Sequence, residues 1–121
     1  MPSQVDRHTF LPGTPIFREG EPGACAYVIE RGSVEITSLR GGRQVRLAVL
    51  GERDLFGEMA LVDDAPRSAS VIAESDLSTV VISKWEFRPL LKSHPELAWK
   101  MIEHLVARVR EEQTGRDAAI C

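Results

Sequence analysis

The residues that could do chemistry are concentrated in residues 55–73, LFGEMALVDDAPRSASVIA. Gly57 allows another group to approach the backbone closely, and a helical turn over 58–62 would point unpaired backbone N–H groups at an anion. Arg67 supplies a permanent positive fork that suits a phosphate. Glu58 would be repelled by a phosphate, but it can accept a hydrogen bond from a sugar hydroxyl. The stretch therefore predicts a site for a phosphate joined to a ribose.

This stretch resembles the phosphate-binding cassette of the cyclic nucleotide-binding domain family. The family pattern is Phe-Gly-Glu, an aliphatic residue and Ala-Leu, then a variable gap, then Pro-Arg, a small residue, Ala and Val. The matching residues here are Phe56, Gly57, Glu58, Met59, Ala60 and Leu61, followed by Pro66, Arg67, Ser68, Ala69 and, after Ser70, Val71. Either half alone can occur by chance, whereas both halves at the right separation make a specific signal.

The resemblance implies a role for individual residues in holding a cyclic nucleotide. Glu58 would accept a hydrogen bond from the ribose 2′-hydroxyl, and Arg67 would pair with the exocyclic oxygens of the cyclic phosphate. Ser68 would add its hydroxyl or its N–H to the phosphate. The implied ligand-binding set is Phe56, Glu58, Arg67, Ser68 and Ala69, with Gly57, Met59 and Ala60 contributing backbone groups.

Simpler interpretations of the same residues stay open at this point. Glu58 could be a solvated carboxylate at a helix start, and Arg67 a surface charge paired with Asp63 or Asp64 for little energy. The two adjacent aspartates also invite a metal or acid–base role. No third carboxylate or histidine stands near them in the sequence. We therefore expect the aspartates to form a turn.

Length and composition indicate one soluble globular domain over residues 1–121. A chain of 121 residues suffices for one core, and 43% hydrophobic with 27% charged residues is ordinary for a globular protein. No apolar run reaches the roughly 20 residues of a membrane span, and the N-terminus lacks a signal-peptide core. Cys25 and Cys121 allow one intrachain bridge at most, and we interpret both as free thiols in a reducing cytoplasm.

Charge and histidine spacing argue against two other functional classes. Asp and Glu outnumber Lys and Arg, 18 against 15, and the net charge of −3 argues against direct nucleic-acid binding. His8, His94 and His104 are too dispersed for a metal site or for the base of a nucleophile. We therefore expect no enzyme activity, no metal and no catalytic cofactor.

Short apolar runs broken by glycine and proline predict β-strands around the cassette. The predicted strands cover 7–11, 15–18, 26–31, 33–38, 45–50 and 77–82, the last of them closing a barrel. The resulting fold is mainly β with C-terminal helices, an antiparallel β-barrel or jelly roll (double-stranded β-helix) with a short helix in the cassette.

Local patterns in the strand region make three further predictions. Glycines at 20, 23 and 32 are expected at positive φ. The sequence RGGR at 40–43 predicts a hairpin turn, and the alternation of Val45, Leu47 and Val49 predicts a strand with these residues on its buried face.

Two helices are predicted after the strands, over roughly 84–114. Capping boxes at Ser83 to Glu86 and Ser93 to Glu96 mark their starts, Pro89 should cut or bend the first, and Gly115 should end the second. Trp85 and Trp99 are expected in the core or at its rim in preference to stacking on a purine.

The second predicted helix carries a wide apolar stripe. The stripe consists of Leu97, Met101, Leu105 and Val109, with Ala98, Ile102 and Val106 beside them. It must pack on the strands, on a bound base or on a copy of itself, so a homodimer through this helix is one expectation.

The resemblance also implies how binding would become a signal. The final helix would close over the nucleotide, with Pro89 as hinge and residues 106–113 contacting the base. We expect cAMP in preference to cGMP. Ser68 could hold a syn guanine, but bacterial cAMP receptors of this family also carry serine there, and no further polar residue nearby obviously reads guanine.

Three questions of function stay open in the sequence. The chain could be a stand-alone sensor that contacts another protein, or a fragment whose effector domain is missing. An interaction module of the same fold with a vestigial pocket is the alternative, although such a pocket would be expected to lose Glu58 or Arg67 first. A cupin-like enzyme would need a histidine cluster that this sequence lacks.

Overall fold

The computed structural model describes residues 6–117, except for the side chains at 108 and 111–117. The chain divides into two compact units, Met1–Arg88 and Pro89–Cys121. The strands of the first unit are β1 Arg7–Phe10, β2 Pro15–Phe17, β3 Cys25–Arg31, β4 Val34–Arg40, β5 Arg43–Leu50, β6 Leu55–Phe56, β7 Ser70–Ala73 and β8 Leu77–Ser83. The helices are α1 Met59–Asp63, α2 Lys84–Ser93 and α3 Pro95–Asp117, and the boundary between the units falls inside α2.

The eight strands form two antiparallel sheets of four. Their orders are β1-β8-β3-β6 and β2-β7-β4-β5, so consecutive strands lie in different sheets except for β4 and β5, which are paired in the second sheet. This is the jelly-roll arrangement that the sequence predicts, in the form of a sandwich. The predicted barrel closure by the last strand is wrong, because β8 lies inside its own sheet, paired with β1 on one side and β3 on the other.

The core of the first unit draws its side chains from both sheets. The strands place apolar residues on alternate positions, as half-buried sheets require. The buried cluster consists of Phe17, Tyr27, Ile29, Val34, Phe56, Val71, Ala73 and Leu77. Three aromatic rings in it are neighbours, with centroids 5.0 Å apart for Tyr27 and Phe56 and 6.0 Å from each of them to Phe17.

The β4–β5 hairpin confirms the predicted turn and corrects the predicted buried face. Gly41 and Gly42 have φ of +60° and +81°, the positive values that a tight two-residue hairpin turn requires. Further along, Ile36 pairs with Ala48 while the next residue of β4 pairs with Arg46, so the register shifts by one residue. This bulge breaks the alternation, and Val45 and Val49 remain 37% and 45% exposed.

Positive φ is present at two of the three predicted glycines. Gly20 and Gly32 have φ of +92° and +97°, whereas Gly23 is not among the positive-φ residues. The prediction for Gly23 is therefore wrong, and the reason for a glycine there must be space, not conformation.

The start of α2 follows the prediction and the start of α3 does not. Ser83 N donates to Glu86 Oε1 at 2.9 Å and Glu86 N donates to Ser83 Oγ at 3.3 Å, which completes the first capping box. Ser93 does not form the second box, because its hydroxyl donates to the carbonyl of Pro89 at 3.2 Å. α3 starts instead with Pro95 at its first position, where the missing N–H costs nothing.

Pro89 does not cut α2, the bend that was its alternative stays a prediction, and Gly115 does not end α3. α2 continues through Pro89 for one more turn, and α3 continues past Gly115 to Asp117. Trp85 and Trp99 are 86% and 61% exposed, so neither lies in the core.

In the described part of the chain, no helix combines the length and the apolar character needed to cross a membrane.

Candidate functional site

The candidate site is built where the predicted cassette meets the start of β3. The short strand β6 pairs with Tyr27 and Val28 of β3 and so delivers Gly57 to the edge of the sheet. α1 follows, and the chain then returns through Arg67 to β7. The backbone of Arg67 is fixed by two hydrogen bonds, from its N–H to the carbonyl of Glu21 and from the N–H of Gly20 to its carbonyl, each 2.8 Å long.

The side chain of Arg67 points inward and is only 5% exposed. Its Nη1 donates to the carbonyl of Gly57 at 2.7 Å and its Nη2 to the carbonyl of Cys25 at 2.8 Å. The guanidinium carbon lies 3.9 Å from the centre of the Phe17 ring. Nε is buried and has no hydrogen-bond partner within the described residues. The site thus holds a positive charge of whose five N–H donors two have described hydrogen bonds.

No described carboxylate side chain forms an ion pair with this arginine. Asp63 accepts a hydrogen bond from the N–H of Ala65 at 2.9 Å, and Asp64 pairs with Lys84 at 2.5 Å. The two aspartates therefore form the expected turn. The interpretation of Arg67 as a surface charge paired with them is wrong. A buried cation without an anion is costly, so this arrangement favours the binding of an anionic ligand.

Glu58 occupies the residue before α1 and is 4% exposed. Its side chain makes no capping hydrogen bond to the helix, and its backbone has φ −74° and ψ −26°. The interpretation as a solvated carboxylate at a helix start is therefore wrong. A buried carboxylate needs donors around it, and a sugar hydroxyl is one that a ligand could supply.

The remaining predicted site residues differ in how far they are exposed to solvent. Gly57 has φ of +81°, and a Cβ there would lie 2.9 Å from Nη1 of Arg67, so both conformation and space require glycine. Ser68 is exposed and Met59 is half-buried. The side chains of Phe56, Ala60 and Ala69 are 2%, 5% and 5% exposed, and the first of these stacks in the core.

Sequence reasoning missed four residues that surround Arg67. The Phe17 ring lies over the guanidinium, and a Cβ at Gly23 would overlap it. Cys25 contributes a carbonyl that accepts from Nη2. Tyr27 lies next to Cys25, whose Sγ is 3.3 Å from the phenol oxygen. Burial and this hydrogen bond raise the pKa of Tyr27 above its usual value. Cys25 and Arg67 are 42 residues apart, so no local pattern could have joined them.

Three further expectations concern a metal site, the segment predicted to contact the base, and the cysteines. No group of three His, Cys, Asp or Glu residues that could hold a metal is found in the part of the chain that the structure describes. In the second unit, Val106 and Val109 are 46% and 53% exposed. The side chains at 108 and 111–113 of the predicted base-contacting segment 106–113 lie outside the described residues, and so does Cys121. Cys25 is a free thiol.

Comparison with known proteins gives matches over most of the chain. The model of the family described as "Cyclic nucleotide-binding domain" matches residues 7–94. The cyclic AMP receptor protein of Thermus thermophilus is 34% identical over 116 residues, which are 95% of this chain and 54% of that protein. The cAMP-dependent protein kinase regulatory subunit of Hypocrea atroviridis is 42% identical over 87 residues, which are 72% of this chain and 18% of that protein.

A solved structure supports the same relationship. The crystal structure of the Thermus thermophilus catabolite activator protein aligns with a TM-score of 0.80 and 32% identity, over 94% of this chain and 54% of that chain. The chain thus spans about half the length of the Thermus relative and under a fifth of the kinase subunit.

Proposed function

Because the chain belongs to the cyclic nucleotide-binding domain family, we propose that it is a regulatory sensor domain that binds cAMP in preference to cGMP. The two relatives support the choice of cAMP, since one is a cyclic AMP receptor protein and the other a regulatory subunit of a cAMP-dependent protein kinase. The dispersed histidines of the sequence support a regulatory function in preference to an enzymatic one.

The observation that carries the proposal is that Arg67 is buried without a described anionic partner. Its guanidinium is 5% exposed, lies among carbonyl oxygens and an aromatic ring, and forms no ion pair with a described carboxylate. Carbonyl dipoles and a ring face compensate only part of a buried charge. A singly charged cyclic phosphate would supply the missing anion and acceptors for N–H groups of the guanidinium that have no described hydrogen bond.

The other contacts of the proposed complex follow from the positions of the cassette residues. Glu58 is assigned to the ribose 2′-hydroxyl because a buried acceptor gains from a sugar donor. Gly57, Met59 and Ala60 are assigned backbone contacts. Ser68, which is exposed, is assigned to the phosphate.

We assign the output to α3. Part of its apolar stripe, including Leu105, Val106 and Val109, is more than two fifths exposed, so the helix has apolar surface to bury when a ligand or partner is present. Closure of this helix, with Pro89 as hinge, would transmit binding to another protein, to an effector domain, or to a second copy of the chain. Hydrogen exchange tests this step, because equal protection of α3 with and without cAMP would contradict closure.

Calorimetric titration with cAMP, cGMP and 5′-AMP tests the proposed ligand. We expect saturable binding of both cyclic nucleotides, tighter for cAMP, and much weaker binding of 5′-AMP, whose open phosphate carries an additional charge and a different shape. Absence of heat with either cyclic nucleotide, confirmed by an unchanged melting temperature, would favour the vestigial interaction module instead.

A further inference from the structure

The guanidinium of Arg67 is held by groups from separate segments of the first unit, which we call the Arg67 seat. The seat consists of the Phe17 ring, the backbone of Gly23, and the carbonyl oxygens of Cys25 and Gly57. The two carbonyls accept from Nη2 and Nη1 at 2.8 and 2.7 Å. They therefore fix the rotation of the guanidinium within its own plane.

The face of the Phe17 ring covers one side of the guanidinium. Its ring centre lies 3.9 Å from Cζ of Arg67, well inside the range of a cation–π contact. The ring is itself held by Tyr27 and Phe56, each with its centroid 6.0 Å away. A planar guanidinium lies flat on an aromatic face, which an ammonium group cannot do in the same way.

Gly23 provides the space. A Cβ at this position would lie 2.7 Å from both Cζ and Nε of Arg67 and 2.8 Å from the Cβ of Ala60. Real Cβ atoms do not approach so closely, so any other residue would displace the guanidinium or α1. Gly23 has no positive φ, so its backbone conformation does not require glycine.

The seat uses only part of the donor capacity of the guanidinium, which has five N–H groups. Nη1 and Nη2 each donate to a carbonyl, whereas Nε is buried and has no partner within the described residues. A phosphate would therefore meet a guanidinium that is already desolvated and oriented. Because a side chain ordered in advance loses less freedom on binding, the seat favours affinity.

We propose that Phe17 and Gly23 are positioning residues of the phosphate site, acting on the ligand through Arg67. This inference rests on the proposed function for the choice of ligand. The aromatic face holds the guanidinium flat, and the missing side chain at Gly23 leaves room for it. Neither residue belongs to the phosphate-binding cassette of the sequence.

The first test examines the seat without ligand. In ¹H–¹⁵N spectra, the Nε–H signal of Arg67 is assigned by its absence in Arg67→Lys. We expect it to be resolved and protected from exchange in the unsubstituted protein and in Phe17→Tyr, and unprotected in Phe17→Leu. Phe10→Leu, which removes a partly buried aromatic ring packed against the same core cluster, serves as control and should leave the signal in place. An equally protected signal in Phe17→Leu would overturn the role of the ring.

The second test measures affinity for cAMP. Phe17→Leu should weaken binding roughly 10-fold, as loss of a desolvated cation–π contact predicts, whereas Phe17→Tyr should stay within about 3-fold. Gly23→Ala should weaken binding by about 10-fold or more while the aromatic cluster stays intact, so it decides the outcome if Phe17→Leu does not fold. Gly51→Ala is its control, since no atom lies within 4 Å of a Cβ there.

A double-substitution cycle separates positioning from a general structural effect. In an Arg67→Lys background, Phe17→Leu should change cAMP affinity by less than about 2-fold, because the planar partner of the ring is gone. An equal loss in both backgrounds would show that the ring acts only on the core and would overturn the inference. Failure of the unsubstituted protein to bind cAMP would contradict the proposed function instead, while the ligand-free spectra would still test the seat.

Discussion

Nζ of Lys84 lies 2.5 Å from Oδ1 of Asp64, which joins the first residue of α2 to the C-cap residue that follows α1. Both side chains are exposed, at 47% and 69%, so water screens the pair. We predict that Lys84→Met lowers the free energy of unfolding by no more than ~1 kcal/mol in low salt, and by less in high salt.

Urea unfolding at two salt concentrations checks the contribution of this ion pair. Lys92→Met is the matched control, because it removes an exposed lysine from the last turn of α2 that forms no described ion pair. A loss above about 2 kcal/mol for Lys84→Met, independent of salt, would show that the contact does more than an exposed pair can do.

The capping box at the start of α2 predicts a pH effect. The backbone and side-chain hydrogen bonds of Ser83 hold the pKa of Glu86 below its usual range. A carboxylate with a lowered pKa in the folded state stabilises that state above its unfolded pKa, and this contribution is lost as pH falls through the folded value. Glu86→Gln should therefore reduce the melting temperature at pH 7 and make little difference in strong acid. Equal reductions at both pH values would contradict an ionised cap.

The buried phenol of Tyr27 predicts an effect at the opposite end of the pH scale. Burial, followed by the hydrogen bond with Cys25, raises its pKa above the usual value of 10.0. The unfolded chain then loses the proton first, so stability falls as pH rises above about 10. Because the sequence contains one tyrosine, ultraviolet absorbance follows its ionisation directly. Tyrosinate should form only as the chain unfolds, and a midpoint near 10 in the folded protein would disprove the burial effect.

Gly32 is the position where a side chain should be tolerated least. Its φ is +97°, and a Cβ would lie 2.2 Å from the carbonyl oxygen of Asp76. We predict that Gly32→Ala costs roughly 2 kcal/mol of stability or more, because strain and overlap add. Gly51→Ala is the control, with neither a positive φ nor a close neighbour, and should change stability by about 1 kcal/mol at most. Similar losses for the two variants in urea unfolding would contradict this account.

Local sequence patterns predicted most of the strands, while the assignment of the cassette residues to a ligand stays a prediction. Gly57, Glu58 and Arg67 could be identified because the turn that joins them is short, and the structure brings Arg67 back to the carbonyl of Gly57. The capping box at Ser83 followed from residues three apart, which interact within one helical turn.

The features that could not be predicted depend on contacts between distant segments. Phe17 meets Arg67 only because β2 pairs with β7, the strand that begins three residues after Arg67. The bulge at Leu47 changes the buried face of β5, and no residue of the strand pattern marks it. A glycine in a helix lowers helix stability by only about 1 kcal/mol relative to alanine, which the rest of α3 can offset. Gly115 alone therefore did not mark the end of α3, which continues to Asp117.

The central claim is that Arg67 holds the phosphate of a cyclic nucleotide, and titration of Arg67→Ala with cAMP beside the unsubstituted protein tests it most directly. We predict that the substitution weakens binding by roughly 2–5 kcal/mol, because the phosphate would be buried without its partner. Circular dichroism should show that the variant keeps its sheet structure. Unchanged cAMP affinity in a folded Arg67→Ala protein would contradict the claim.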